Sequence, residues 1–184
     1  MSNPSPRLLD FVIDKLTSSI ENIRTGEIHD TRVMRLYPSD SKLLISQDWL
    51  FDWHREINSD DREVFALTTI SQRDILQGLM SISDGEDHVF MNLIESAEFN
   101  VGKNKLYEGV AGNLVAFACY RSIQLGYDGA MAFEAKTQLI GHYEKSMEAK
   151  RIGANRMFIP VDIAHRLVQR YSKSLDYDGP KTAR

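Results

Sequence analysis

Lys103–Gly129 reads KNKLYEGVAGNLVAFACYRSIQLGYDG. It contains a glycine turn, Gly109-Val110-Ala111-Gly112, then an apolar helical run from Asn113 to Leu125, then a second turn, Gly126-Tyr127-Asp128-Gly129. Two glycines in four residues predict a tight loop whose backbone N–H groups point outward. A helix that starts directly after such a loop adds its own unpaired N–H groups and the positive end of its dipole. The combination predicts an anion site, most often for a phosphate.

Working outward, three strand-like segments precede this stretch: Glu63–Ile70, Ile75–Ile82 and His88–Ser96. Ser83-Asp84-Gly85-Glu86-Asp87 reads as the hairpin loop between the last two, which predicts an antiparallel meander. Downstream come a short apolar strand at Ala130–Ala135, a helix at Thr137–Ala149, a late strand at Arg156–Ile159 and a last helix at Val161–Tyr171. If the strands at His88–Ser96 and Ala130–Ala135 lie parallel, the helix between them is a crossover. Further upstream, Thr31–Tyr37 reads as a strand. Leu43–Ile57 reads as partly helical, with Trp49 and Trp53 on one face. Leu8 to Ile23 carries apolar residues at helical spacing and predicts an amphipathic N-terminal helix. The expected division is an N-terminal helix over 1–30, one catalytic-type domain over 31–174 and a polar tail over 175–184. The fold class is α/β (α+β), a mixed and mostly antiparallel twisted sheet with helices on both faces.

A chain of 184 residues suits one full core. The net charge of −4 gives no bulk attraction to nucleic acid or to an anionic membrane. Cys119 is the single cysteine, so an internal disulfide and a cysteine-based zinc site are both excluded. The five histidines include no pair at i, i+3 or i+4, so their spacing predicts no metal site. No apolar run reaches the roughly 18–20 residues of a membrane span, and the first residues lack a basic start followed by an apolar run; both point to a cytoplasmic protein.

On three sets of residues the chain resembles the GNAT N-acetyltransferase superfamily. Gly109-Val110-Ala111-Gly112-Asn113-Leu114 is similar to its acetyl-CoA pyrophosphate loop, Q/R-x-x-G-x-G/A, with Leu106 at the Q/R position. Ser122–Gly129 and the strand after it are similar to the family's helix end and next strand. His142-Tyr143-Glu144-Lys145 is similar to its F-Y-E-K element. The resemblance spans about residues 31–171 and is strongest from Asn92 onward.

The resemblance implies acetyl-CoA as co-substrate, no metal, and direct acetyl transfer to an amine acceptor without a covalent enzyme intermediate. Backbone amides of Gly109, Val110, Ala111, Gly112, Asn113 and Leu114 would bind the pyrophosphate. Leu93 and Ile94 would pair with the pantetheine arm. Glu95, at the end of the strand before the loop, takes the general-base position; the competing reading makes it a structural carboxylate, and Glu98 is a neighbouring candidate. Tyr143 takes the general-acid position near the sulfur, against a plain core aromatic that shares a face with Leu139, Ile140 and Met147. Trp49, Trp53 and Glu56 fall where the family builds its acceptor pocket. The alternative function is a GNAT-like module that binds CoA or a protein with weakened catalysis. A homodimer stays open.

Overall fold

The computed structural model describes residues 6–15 and 19–171. Its main sheet has seven strands: β3 (Thr31–Leu36), β4 (Glu63–Thr69), β5 (Leu76–Asp84), β6 (Val89–Ser96), β8 (Met131–Glu134), β10 (Arg156–Ile159) and β9 (Lys150–Arg151), in that spatial order. Every pairing is antiparallel except β6 with β8. The predicted meander is β4-β5-β6, and the predicted crossover is α3 (Val110–Gln124) between the parallel strands β6 and β8. A second sheet of three short strands pairs β1 (Ile20–Asn22) with β2 (Ile28–His29) and with β7 (Tyr107–Glu108).

Helices cover both faces because successive strand side chains point to opposite sides. Phe65 of β4 turns toward α3, where its ring lies 4.8 Å from that of Phe117. Its neighbour Val64 and the paired Ser81 turn the other way, and there the Ser81 hydroxyl donates to Glu56 of α2 (Trp53–Ile57) at 2.5 Å. Leu114, Val115, Phe117 and Cys119 are fully buried between the sheet and α5 (Val161–Arg170). α4 (Ile140–Met147), entered through a 3₁₀ turn at Thr137–Leu139, packs Tyr143 against Phe133 of β8 with ring centroids 5.2 Å apart.

Three expectations change. The helix expected from Leu8 to Ile23 is absent from the described residues. Residues 7–15 form no helix, with Leu9 in a parallel bridge to Ala135, and β1 begins at Ile20. Leu9 and Ile13 are buried while Leu8 and Val12 are exposed. The unpaired edge of β8 supplies backbone partners that an isolated helix would not need: the Leu9 N–H donates to Glu134 O at 2.8 Å, and the Lys136 N–H donates to Leu9 O at 2.9 Å.

The glycine turn is also shorter than expected. α3 begins at Val110, so Gly109 alone is the turn and N-cap residue, at φ +94°, and Gly112 lies within the helix. Left-handed backbone at Gly109 is where the missing Cβ matters. Finally, Leu43–Ile57 splits into α1 (Ser41–Ile45) and α2, so Trp49 and Trp53 do not share a helical face; their rings meet edge-on at 6.5 Å. The tail expected at 175–184 lies outside the described residues.

Candidate active site

The site arises where the sheet comes apart. β6 and β8 pair only at Val89↔Met131 and Phe90↔Ala132. Just beyond, the β5–β6 register shifts, so Ile82 pairs with Met91 but Ser81 pairs with Leu93. Asn92 is the extra residue, and a bulge of this kind bends its strand and increases its twist. Asn92 is held in place by its own amide, which donates to Ser83 Oγ at 3.1 Å and to Phe90 O at 3.3 Å. From here β6 diverges from β8, and its edge at Leu93–Ser96 faces a cleft.

A cavity of about 490 Å³ fills that cleft. One wall is the end of β6, Ile94-Glu95-Ser96; another is Leu50-Phe51 from the loop before α2; the floor is Val110 and Ala111 at the start of α3. The fourth wall is the N-terminal segment, including Phe11, Val12 and Asp14.

Glu95 is 9% exposed and is the most elaborately held carboxylate of the site. Its Oε1 accepts from the Leu50 N–H at 2.7 Å. Its Oε2 accepts from the Trp53 indole N–H at 2.7 Å and from the Phe51 N–H at 3.4 Å. A carboxylate offers about four acceptor positions, so three donors leave Oε1 with one position for a further proton or water. Glu98 lies instead in the 3₁₀ turn Glu98–Asn100 and does not line the cavity.

The α3 N-terminus supplies donors of the opposite sense. Val110, Ala111 and Gly112 have no intrahelical acceptor for their N–H groups. The Gly109 N–H already has a partner, Asp14 Oδ1 at 3.0 Å, and Asp14 Oδ2 accepts from Lys105 Nζ at 2.8 Å. A carboxylate thus stands where the sequence predicts an anion. Asn113 and Leu114 point away from it. Asn113 Nδ2 donates to Gly109 O at 2.7 Å and to Ser19 O at 3.4 Å, and Leu114 is fully buried. Leu93 is separated from Ile94 by the pleat and lines a neighbouring polar pocket with Glu56 and Arg62.

Tyr143 is fully buried and does not line the cavity. Its hydroxyl donates to Phe11 O at 2.6 Å, and the two rings stack with centroids 4.6 Å apart. Burial, then the nearby charge of Asp10, pushes its hydroxyl pKa well above the usual phenol range. One layer of chain, the Phe11 segment, therefore separates Tyr143 from the cavity that holds Glu95. Of the predicted acceptor-side residues, Trp53 is 1% exposed and serves as a donor to Glu95, while Glu56 binds Ser81 and faces Arg62 Nε at 3.6 Å.

Asp14, Phe11 and Asn92 were not predicted. Asp14 and Phe11 lie in a segment whose spacing fits a helix, and a lone asparagine in a strand carries no bulge signature. Lys105 lies three residues before Glu108, just upstream of the Gly109 turn, within the stretch Lys103–Gly129.

No family model matches the sequence, and no curated protein matches it. Solved structures do resemble it. A CoA-dependent acyl-homoserine lactone synthase, BjaI, with SAM and isopentyl-CoA, superposes with a TM-score of 0.55 at 7% identity, over 83% of this chain and 95% of that one. AtaTR bound with AcCoA gives 0.51 at 14% identity, over 75% and 98%. The KacTA–DNA complex gives 0.51 at 13% identity, over 76% and 99%. Identities this low speak for the architecture alone. Together with the parted β6 and β8 and the crossover helix that starts at their cleft, they give the chain the fold of the GNAT acyl-CoA N-acyltransferases.

Proposed function

We propose that this protein is an acetyl-CoA-dependent N-acyltransferase acting on an amine. The observation that carries this reading is the convergence, in one cleft, of the Glu95 carboxylate with the free N–H groups that open α3. Acyl transfer needs both: a group that accepts the amine proton, and fixed donors for an anionic co-substrate.

When bound, acetyl-CoA supplies the activated acyl thioester. The N–H groups of Val110, Ala111 and Gly112 and the Lys105 ammonium are the groups of this chain that suit its pyrophosphate, and the Asp14 carboxylate is the stand-in that marks the place. The β6 edge at Leu93–Ile94, unpaired toward β8, suits an extended amide-bearing arm. In this reading Glu95 Oε1 takes the acceptor's proton, directly or through a water. Its fixed orientation spares the reorganisation that a mobile side chain would need. Tyr143 Oη–H is the proton source for the departing sulfur once its bond to Phe11 is released. Leu50 and Phe51 restrict water on the acceptor side.

Calorimetric titration with acetyl-CoA, followed by free-thiol release against a panel of amines, tests the reading. Binding with thiol release on at least one amine is expected. No binding at millimolar acetyl-CoA would sink it, and binding without release on any amine would favour a CoA-binding module. Glu95→Gln should lower turnover at least about a hundredfold while acetyl-CoA affinity changes little.

A further inference from the structure

The segment from Arg7 to Asp14 engages several parts of the proposed machinery. At one end the Arg7 guanidinium lies 4.6 Å over the Phe51 ring, beside the polar pocket lined by Glu56, Arg62 and Leu93. In the middle, Leu9 extends the sheet at the free edge of β8, and Phe11 both stacks on Tyr143 and accepts its hydroxyl hydrogen. The Ile13 N–H donates to His142 Nε2 at 2.9 Å. At the far end Asp14 sits on the Gly109 N–H and on Lys105.

These contacts are chemically matched to what they cover. The Asp14 carboxylate lies on the Gly109 amide and on Lys105, a backbone carbonyl engages the hydroxyl assigned as proton source, and Leu9 bridges to Ala135 at the edge that β6 leaves open. An anion and Asp14 cannot both hold the Gly109 amide and the same face of Lys105. Nor can Tyr143 donate to Phe11 and to a sulfur with its single hydrogen.

We propose that this segment is an autoinhibitory strap, which walls one side of the cofactor cleft, occupies the Gly109, Lys105 and Tyr143 donors in cis, and must leave before acetyl-CoA can bind productively. The inference rests on the acyltransferase reading above. It makes the protein a two-state device. In the closed state Asp14 and Phe11 satisfy the cleft. In the open state the Gly109 amide, Lys105 and the Tyr143 hydroxyl join the unpaired α3 amides as donors for ligand. Apparent affinity for acetyl-CoA is then the intrinsic affinity reduced by the small open fraction.

Two variants loosen the strap by different routes. Asp14→Ala removes the carboxylate from the anion donors. Phe11→Ala removes the ring that stacks on Tyr143 and changes no charge. Both should tighten acetyl-CoA binding by calorimetry, by about three- to tenfold. Tightening in Asp14→Ala alone would be a local charge effect and would overturn the strap, as would no change or weaker binding in both.

Amide exchange in the unaltered protein decides the matter if either variant fails to fold. Saturating acetyl-CoA should speed exchange at Leu9, Ile13 and Lys136, whose N–H groups hold the strap in place. Unchanged or slower exchange at these three positions, with acetyl-CoA demonstrably bound, overturns the strap and leaves the acyltransferase reading standing. Failure of the unaltered protein to bind millimolar acetyl-CoA overturns the acyltransferase reading and the strap with it.

Discussion

Glu95 couples two parts of the molecule through one side chain. It belongs to β6, yet all three of its donors come from residues 50–53. A hydrogen bond to a charged group contributes about 1.5–3 kcal/mol when its loss strands a buried partner. Trp53→Phe keeps an aromatic ring in the core but removes the indole N–H together with part of the buried ring volume. It should cost about 2 kcal/mol in urea-induced unfolding; a loss below about 0.5 kcal/mol would mean that the loop amides hold Glu95 unaided. Tyr143 gives a second prediction, in pH. Its pKa in the fold lies above the ordinary 10.0, so above that pH the unfolded chain releases a proton that the folded chain keeps. Its contribution is therefore fully present below about pH 10 and is lost as pH rises, at up to about 1.4 kcal/mol per pH unit. Between pH 10 and 11 the protein should lose about 1 kcal/mol more stability than Tyr143→Phe does; parallel curves would show that the phenol titrates in the fold as it does in water. Cys119, with its thiol pushed by burial to about 12, takes no part in this chemistry.

At the scale of elements, the placement of α3 depends on a residue that has no side chain. Gly78 on β5 lies under the first turn of the helix. A Cβ there would sit 2.7 Å from Val110 Cγ1, 3.0 Å from Glu95 O and 3.1 Å from Leu114 Cδ1. Two of these neighbours belong to the helix that floors the cleft and the third to the backbone that carries the candidate base. Gly78→Ala must push α3 off the sheet, at a cost of about 1–3 kcal/mol, and the strain falls on the cleft itself. Thermal unfolding should report the loss of stability, and acetyl-CoA affinity should fall with it. A variant as stable as the parent would mean that α3 is seated less tightly than these distances require. The elements most easily read from sequence were those with a strong local period. The β4-β5-β6 meander, β10 and α5 stand within a residue or two of their expected limits, and α3 starts three residues early, at Val110 where Asn113 is expected. The spacing of the N-terminal segment satisfies two structures. What decides between them is the open edge of β8, about 125 residues away in the chain, which no local pattern reveals.

At the scale of the whole molecule, the same long-range dependence governs the site. Glu95, the Gly109 turn and Lys105 were visible as residue types in a suggestive order. Their convergence needs the Asn92 bulge, and the cover over them needs the strap; both are tertiary facts. The bulge also divides the sheet mechanically. β3-β4-β5-β6 share long ladders, whereas the strand ladder joining β8-β10-β9 to them has two pairs, at Val89 and Phe90. Cooperative units in native proteins follow such seams, and the part with fewer ladder bonds opens at lower free energy. Amides of β8 and β10 should therefore exchange through a sub-global opening, faster than those of β4 and β5, which should exchange only with global unfolding. Phe133, packed on both Phe11 and Tyr143, ties the weaker section to the strap. Loosening the strap with Phe11→Ala should thus accelerate exchange in β8 at least about threefold and leave β4 and β5 unaffected except for any change in global stability. Equal acceleration throughout the sheet would show one cooperative unit, and would remove the seam as the place where the cleft opens.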